Sequence, residues 1–248
     1  MIAIIGNGNV ATHLLEALKK HTEVCMVNPR TLEGMPQNPE MILISVSDDA
    51  IGEVTSKIED TRAIIAHTSG SVPMSVLGKS GDKEPSEMDR IGVLYPLQTF
   101  TKEVVLDYSE IPVFIEGSAP EVADALKKVA TMFSNDVREA NSEDRKKLHL
   151  ASVFVCNFTN ALAGIGEEIL KESGMDFSVL QPLLKQTVNK LQNLSPVEAQ
   201  TGPAVRNDER VIDAHLKMLQ GNPLMHQIYS LLTARIKEQA EIKKKLKV

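Results

Sequence analysis

The hydrophobic pattern of this chain changes its period a little past half-way. Up to about residue 140, short runs of β-branched and aliphatic residues alternate with longer amphipathic stretches. The runs are Ile2–Ile5, Glu23–Val27, Met41–Asp48, Ala63–Ala66, Ile91–Leu94 and Ile111–Glu116, with Asp136–Arg138 as a candidate edge strand. Most are apolar throughout rather than at every second position, the pattern of strands covered on both faces. Between them, the stretch after Gly8 carries Leu14, Leu15 and Leu18 at helical spacing, Asp49-Ala-Ile-Gly opens a second helix with Asp48 or Asp49 as its cap, and Ala119–Phe133 reads as a third. Strands alternating with helices predict an α/β domain, a mostly parallel sheet with helices on both faces. From Ser142 onward only helical periods remain, over Leu148–Leu170, Phe177–Leu191, Glu209–Leu219 and Pro223–Leu246. Ser142-Glu-Asp-Arg145 is a usable helix start, so the boundary is expected near Asn141, with an α/β domain over 1–140 and an all-α domain over 141–248. A polar, mobile loop is expected from Lys79 to Asp89.

The first strand and helix carry the most specific chemistry. Gly6-Asn7-Gly8-Asn9-Val10-Ala11 turns the Ile2–Ile5 strand directly into the helix, the context of a dinucleotide-binding fingerprint and of a Rossmann domain. Gly6 permits the tight turn, Gly8 lets the backbone approach a pyrophosphate, and Ala11 allows close helix packing. The free N–H groups and positive dipole end of the helix would face the phosphates. The second strand ends in Asn28-Pro-Arg30-Thr31 with no acid to bind a ribose 2′-hydroxyl. Arg30, with Asn28 and Thr31, therefore points to a 2′-phosphate and so to NADP, with NAD possible; otherwise Arg30 is a solvated loop residue. Val46, Ser47 and Asp48 end the third strand and should lie over the cofactor. His67-Thr-Ser-Gly-Ser71 ends the fourth at the edge where ligands of open parallel sheets bind.

Composition narrows the class. Lys+Arg 27 against Asp+Glu 33 gives a net charge of -6, which disfavours a broad nucleic-acid or anionic-membrane surface; the basic tail Lys243–Lys247 reads as a solvated helix end. Aromatic content of 4% without tryptophan offers no stacking platform for single-stranded nucleic acid. Cys25 and Cys156 belong to no metal-ligand or disulfide spacing, so no metal is expected. No apolar run reaches membrane-spanning length, and the first apolar stretch belongs to the fingerprint rather than to a signal peptide, so a cytoplasmic location is expected. Ser69 lacks the GxSxG elbow of a hydrolase.

The full pattern resembles the superfamily of dehydrogenases with an N-terminal Rossmann domain and a helical C-terminal domain like that of 6-phosphogluconate dehydrogenase, which includes ketopantoate reductase and pyrroline-5-carboxylate reductase. Within it the chain is similar to a group of Rossmann-like NADP-dependent oxidoreductases. The residues carrying the likeness are the fingerprint, His67-Thr-Ser-Gly70, Tyr95-Pro-Leu-Gln-Thr-Phe100, His149-Leu-Ala-Ser-Val-Phe-Val-Cys-Asn-Phe158 and Thr201-Gly-Pro-Ala-Val-Arg-Asn-Asp208. Several relatives carry a helix with Lys-x-x-x-Asn, the lysine moving a proton and the asparagine orienting the substrate. Asn157 matches the asparagine, but Val153 stands where the lysine would be, which weakens carbonyl reduction more than imine reduction. The resemblance also implies a homodimer through the helical domain, whose helices are apolar around much of their circumference.

Hydride transfer needs a group that gives or takes a proton and others that fix the substrate. At about 100° per residue, His149, Val153, Cys156 and Asn160 fall on one helical stripe with Asn157 beside it. His149 either lines a polar cleft or bonds a neighbouring helix; the resemblance favours the cleft for Asn157. Thr201–Arg206 interrupts two helices and reads as a structured loop, whose Arg206 either clamps a substrate carboxylate or pairs with Asp208 or Glu209. His67 is a reserve proton carrier or a loop cap, and His215 a structural residue. The expected activity is an NADP-linked oxidoreductase acting on a small carboxylate-bearing carbonyl or imine held between the domains; the alternative is an NADP(H)-binding sensor without turnover.

Overall fold

The computed structural model describes residues 1–59, 61–78 and 89–246; most of the polar loop expected from Lys79, and Lys247 of the basic tail, lie outside them. Seven strands form one sheet: β1 (Ile2–Ile5), β2 (Val24–Val27), β3 (Met41–Ile44), β4 (Ile64–His67), β5 (Ile91–Pro96), β6 (Val113–Gly117) and β7 (Val137–Glu139). Their order is β2-β1-β3-β4-β5-β6-β7. Every neighbouring pair is parallel except β5 and β6. The order reverses between β1 and β3, and the carboxyl ends of these two strands flank the crevice where ligands of such sheets bind.

Strand parity divides the core. Ile2, Ile4, Met41 and Leu43 pack on one face with Leu14 and Leu18 of α1 (Asn9–Leu18) and Val122 and Leu126 of α3 (Pro120–Ala130). Ala3, Ile5, Ile42 and Ile44 pack on the other with Ile51 and Val54 of α2 (Ile51–Ser56) and with Leu77. Both faces are covered, which is why these strands read as continuous apolar runs. Fully buried Leu43 sits in the middle strand of this core, where truncation to Ala costs about 2–5 kcal/mol.

Helix α4 (Ser142–Ser152) belongs to the same compact unit, which runs Met1–Phe158 with a second unit over Thr159–Val248. The cause is polar. Fully buried Arg145 pairs with Glu116 at 2.9 Å and donates to the Val72 carbonyl at 2.9 Å. Ser142 also donates to Glu116 from its backbone and its hydroxyl. Removing either partner would strand a buried charge, so α4 is fastened to the sheet.

A π-helical turn (Val153–Asn157) joins α4 to α5 (Phe158–Lys171) without a break. The continuous helix Ser142–Lys171 contains an 18-residue window of mean hydropathy 1.4, long and apolar enough by length and composition to cross a membrane. That corrects the expectation from consecutive apolar residues alone, since the window spans scattered Ser, Thr and Asn. The fastening of α4 to the sheet shows that its first turns serve the α/β unit.

The second unit holds most of α5, then α6 (Gln181–Lys190), α7 (Pro196–Ala199), α8 (Pro203–Arg206), α9 (Glu209–Met218) and α10 (Pro223–Leu246). The interruption expected at Thr201–Arg206 contains one helical turn: Pro203 starts it and Asn207, in the left-handed region at φ 55°, ends it. Lys243, Lys244 and Lys245 complement the dipole in the last turn of α10. Among the described residues of this unit, only Ala204, Ile212 and Met225 are buried apolar residues. Leu183, Val188, Leu224 and Leu231 are more than half exposed.

Candidate functional site

The fingerprint forms the floor of an opening of about 1100 Å³. Gly6 has φ +150°, and a Cβ there would meet the Ser45 carbonyl oxygen at 2.1 Å, so glycine lets β1 and β3 run together at the crevice. Gly8 is the N-cap of α1; a Cβ there would meet nothing within 4 Å, and no side chain caps the helix. The first turn of α1 has no acidic residue. Free N–H groups, open space and no competing carboxylate on that turn fit a pyrophosphate. Asn7, Gly8, Asn9 and Val10 line the opening; Gly6 is not among the lining residues. The Asn9 side chain donates to the Phe100 carbonyl at 2.8 Å and Lys102 donates to the Asn7 carbonyl at 2.9 Å, so the segment after β5 is strapped across the fingerprint turn.

The lining also includes Asn28, Pro29 and Arg30 from the turn after β2, and Glu53, Val54 and Lys57 from α2 and its end. The Asn28 carboxamide oxygen accepts from the N–H groups of Arg30 and Thr31, at 2.9 and 3.4 Å. Asn28 is thus an Asx-turn residue, and Thr31 contributes to the turn rather than to the lining. Exposed Arg30 has no side-chain ion pair among the described residues, whereas Lys57 is held by Glu53 at 2.7 Å. Lys57 escaped the sequence reading; its signal was the Glu53–Lys57 spacing of four on a short helix that begins at the ligand edge. Val46, Ser47 and Asp48 also line the opening, with Thr68 and Ser69 from the loop after β4. The Asp48 carboxylate accepts from the Ser71 hydroxyl, and Ser69 bonds Ser71 at 3.3 Å.

A second opening, of about 460 Å³, shares Asn9 and Val10 with the first. Its wall includes Tyr95, Leu97 and Phe100 from β5 and the following segment, and His149, Ser152, Val153, Cys156 and Asn157 from the long helix. The π turn accounts for this set. Bonding i→i+5 fits an extra residue into the turn, so Asn157 joins His149 on the lined face while Asn160, expected on the stripe from a uniform α-helical period, is not among the lining residues. Val153 also lies on the wall and presents an apolar side chain there. Tyr95 Oη lies 3.2 Å from His149 Nδ1. Burial pushes the phenol's pKa up, against smaller opposing effects of Ser152 and Arg145, and keeps it protonated. A Cβ on Gly70 would come within 2.6 Å of Tyr95 Cζ and 2.8 Å of His149 Nδ1. Tyr95 and Gly70 were missed as site residues, although both stood in the quoted motifs; a tyrosine at the carboxyl end of a parallel strand was the available signal.

His67 is placed differently. It is 0% exposed, lines neither opening, and its Nδ1 accepts from the Ser69 N–H at 3.2 Å, the loop-capping alternative. Its Nε2 has no hydrogen-bond partner among the described residues. Burial, reinforced by the Arg145 charge, pushes its pKa down to about 4, so the ring is neutral at neutral pH. Arg206 is exposed on the last residue of α8 in the second unit. Its expected scaffold partners are engaged elsewhere: Asp208 caps α9 through the Val211 N–H, and Glu209 pairs with Lys237 at 2.6 Å. His215 Nδ1 bonds Tyr229 Oη at 2.8 Å, consistent with a structural role. Cys25 and Cys156 are free thiols, and no cluster of metal-ligand type occurs among the described residues.

The family model described as domain of unknown function DUF2520 matches residues 111–236, just over half of the chain. The chain belongs to the DUF2520 family. The DUF2520 chain is 38% identical to a candidate NADP oxidoreductase from Bacteroides fragilis, covering 96% of this chain and 97% of that one with a TM-score of 0.85. A protein from Thermotoga maritima shares the fold at 22% identity, with 98% and 100% covered and a TM-score of 0.75. An imine reductase from Myxococcus stipitatus, solved with NADP+, shares it at 12% identity, with 98% and 94% covered and a TM-score of 0.59. No curated protein matches the chain.

Proposed function

We propose that this DUF2520 chain is an NADP-linked oxidoreductase of the dehydrogenase superfamily resembled by its sequence, reducing or oxidising a small carboxylate-bearing carbonyl or imine. The observation that carries the reading is that the two openings share Asn9 and Val10 in their linings. A dinucleotide laid along the first, with its pyrophosphate on the Gly8 turn, would bring its nicotinamide end toward the second. Arg30 would hold the 2′-phosphate, with Asn28 shaping the turn; Val46, Ser47 and Asp48 would flank the nicotinamide ribose. The cofactor supplies a hydride when bound. His149, or a water held by it, moves the proton, Asn157 orients the reacting group, and Arg206 grips the substrate carboxylate. The similar protein from Bacteroides fragilis and the imine reductase fold support the cofactor class; NAD is the secondary choice.

Val153 on the pocket wall favours one rival, an NADP(H) sensor without turnover. Screening NADPH oxidation against pooled 2-keto acids and cyclic imines separates the two. Turnover supports the enzyme; tight NADPH binding with no turnover across both pools gives the sensor the lead.

A further inference from the structure

We propose that Tyr95 is a positioning residue that fixes the tautomer of His149, so that the imidazole presents Nε2–H to the second opening and serves a reducible group bearing a lone pair. The proposal rests on the oxidoreductase reading for its chemistry, but its geometry stands by itself. Tyr95 Oη and His149 Nδ1 are 3.2 Å apart, and their rings meet edge to face at 6.2 Å. The Gly70 backbone closes the same edge of the imidazole, since even a Cβ there would fall within 2.8 Å of Nδ1. Nδ1 is thus the enclosed nitrogen, leaving the Nε2 edge for the opening that His149 lines. A protonated phenol can donate to Nδ1 or accept from it; in the proposed arrangement it donates, and a neutral imidazole accepting at Nδ1 carries its proton on Nε2. The Ser152 hydroxyl, which also bonds the phenol, donates to the Leu148 carbonyl at 2.7 Å and is the competing acceptor for the phenol's proton.

The tautomer selects the substrate's reacting atom. Nε2–H suits a carbonyl oxygen or a neutral imine nitrogen. A protonated iminium nitrogen has no lone pair to receive it. In the reducing direction the substrate carbon gains the hydride and its π pair moves to the heteroatom, which takes the Nε2 proton. Nδ1 takes the phenol's proton as Nε2 loses its own, so no imidazolate forms; solvent then protonates Nε2 and the Nδ1 proton returns to the phenolate, which restores both side chains to their starting states. Two electrons pass from dihydronicotinamide to substrate. Tyr95 never touches the substrate in this scheme and acts through His149.

The test reads the tautomer directly. In full-length protein labelled with 15N-histidine, at about pH 8, above the ordinary histidine range, the His149 signals are identified by their loss in His149→Gln. The expected wild-type pattern is a protonated Nε2 and an unprotonated Nδ1. Tyr95→Phe keeps the ring and removes the hydroxyl; it should give a mixture of tautomers, leave NADPH affinity unchanged, and lower kcat about tenfold or more on a keto acid that is turned over. A wild-type His149 protonated at Nδ1, or an unchanged tautomer in Tyr95→Phe, overturns the proposal. Should Tyr95→Phe fail to fold, the wild-type spectrum alone decides. The expected tautomer shift without turnover of any keto acid or imine supports the positioning role while refuting the oxidoreductase reading.

Discussion

Acid should destabilise this protein through His67 in particular. The ring is fully buried at the end of β4, opposite Ile44 of β3, and its pKa is pushed down to about 4 from 6.5. Desolvation is the largest cause and the Arg145 charge the next; the Pro73 carbonyl and the Asp48 carboxylate pull the other way. In the unfolded chain the ring protonates near its ordinary value. Between about pH 6.5 and 4 the unfolded state therefore binds more protons than the folded one, and stability falls as pH falls. The contribution is fully present above pH 6.5 and largely lost by pH 4. A difference of about 2.5 pKa units corresponds to about 3 kcal/mol, an upper bound because local opening would relieve the burial. Urea unfolding followed by circular dichroism at half-unit steps from pH 4.5 to 7.5 would measure it, with His67→Asn as the reference that keeps an acceptor for the Ser69 N–H and removes the titrating ring. Carboxylates that titrate in the same range contribute to both proteins and cancel in the comparison. The wild type should lose more stability than the variant across the window, at up to about 1.4 kcal/mol per pH unit. Parallel curves for the two proteins would refute the reasoning.

Calorimetric titration should show tighter binding of NADPH than NADH, and Arg30→Ala should weaken NADPH by about 1.5–3 kcal/mol while sparing NADH; equal affinities in the wild type would count against the 2′-phosphate assignment. His149→Gln should lower turnover at least about a hundredfold without changing cofactor affinity. Arg206→Lys should mainly raise the Michaelis constant of a carboxylate substrate, because a point charge cannot reproduce a planar two-pronged grip; an unchanged constant would return Arg206 to the scaffold. Light scattering at micromolar concentration should give a dimer mass, since a helical unit with Leu183, Leu224 and Leu231 mostly exposed has too small a core of its own; a monomer would sink that expectation.

The strands and the fingerprint were legible because their determinants are local. Four consecutive aliphatic residues at Ile2–Ile5 or Met41–Ile44 have few stable places except a strand covered on both faces, and Gly6 is required by a backbone approach that any Cβ would block. Turn chemistry was less legible: Asn28, expected to help bind a 2′-phosphate, accepts instead from the N–H groups of Arg30 and Thr31. What the sequence concealed was set by partners distant along the chain. The place of α4 depends on Arg145 meeting Glu116 and Val72, 29 and 73 residues away, and no local pattern announces such a pair. The side chains gathered around His149 were obscured by a different cause. A uniform helical period assigns Asn160 to the stripe, and one π turn moves the face by inserting a residue where the pocket is built. Nothing in Val153-Phe-Val-Cys-Asn157 marks that change of period, since an i→i+5 turn is disfavoured in any isolated helix and persists only where its surroundings hold it. The tethers lie just before it: Arg145 to the sheet and His149 to Tyr95 fix the start of the long helix, while the chain beyond Phe158 belongs to another compact unit. A helix anchored in its first turns has reason to absorb strain just beyond the anchor, and here that turn, Val153–Asn157, also forms part of the pocket wall.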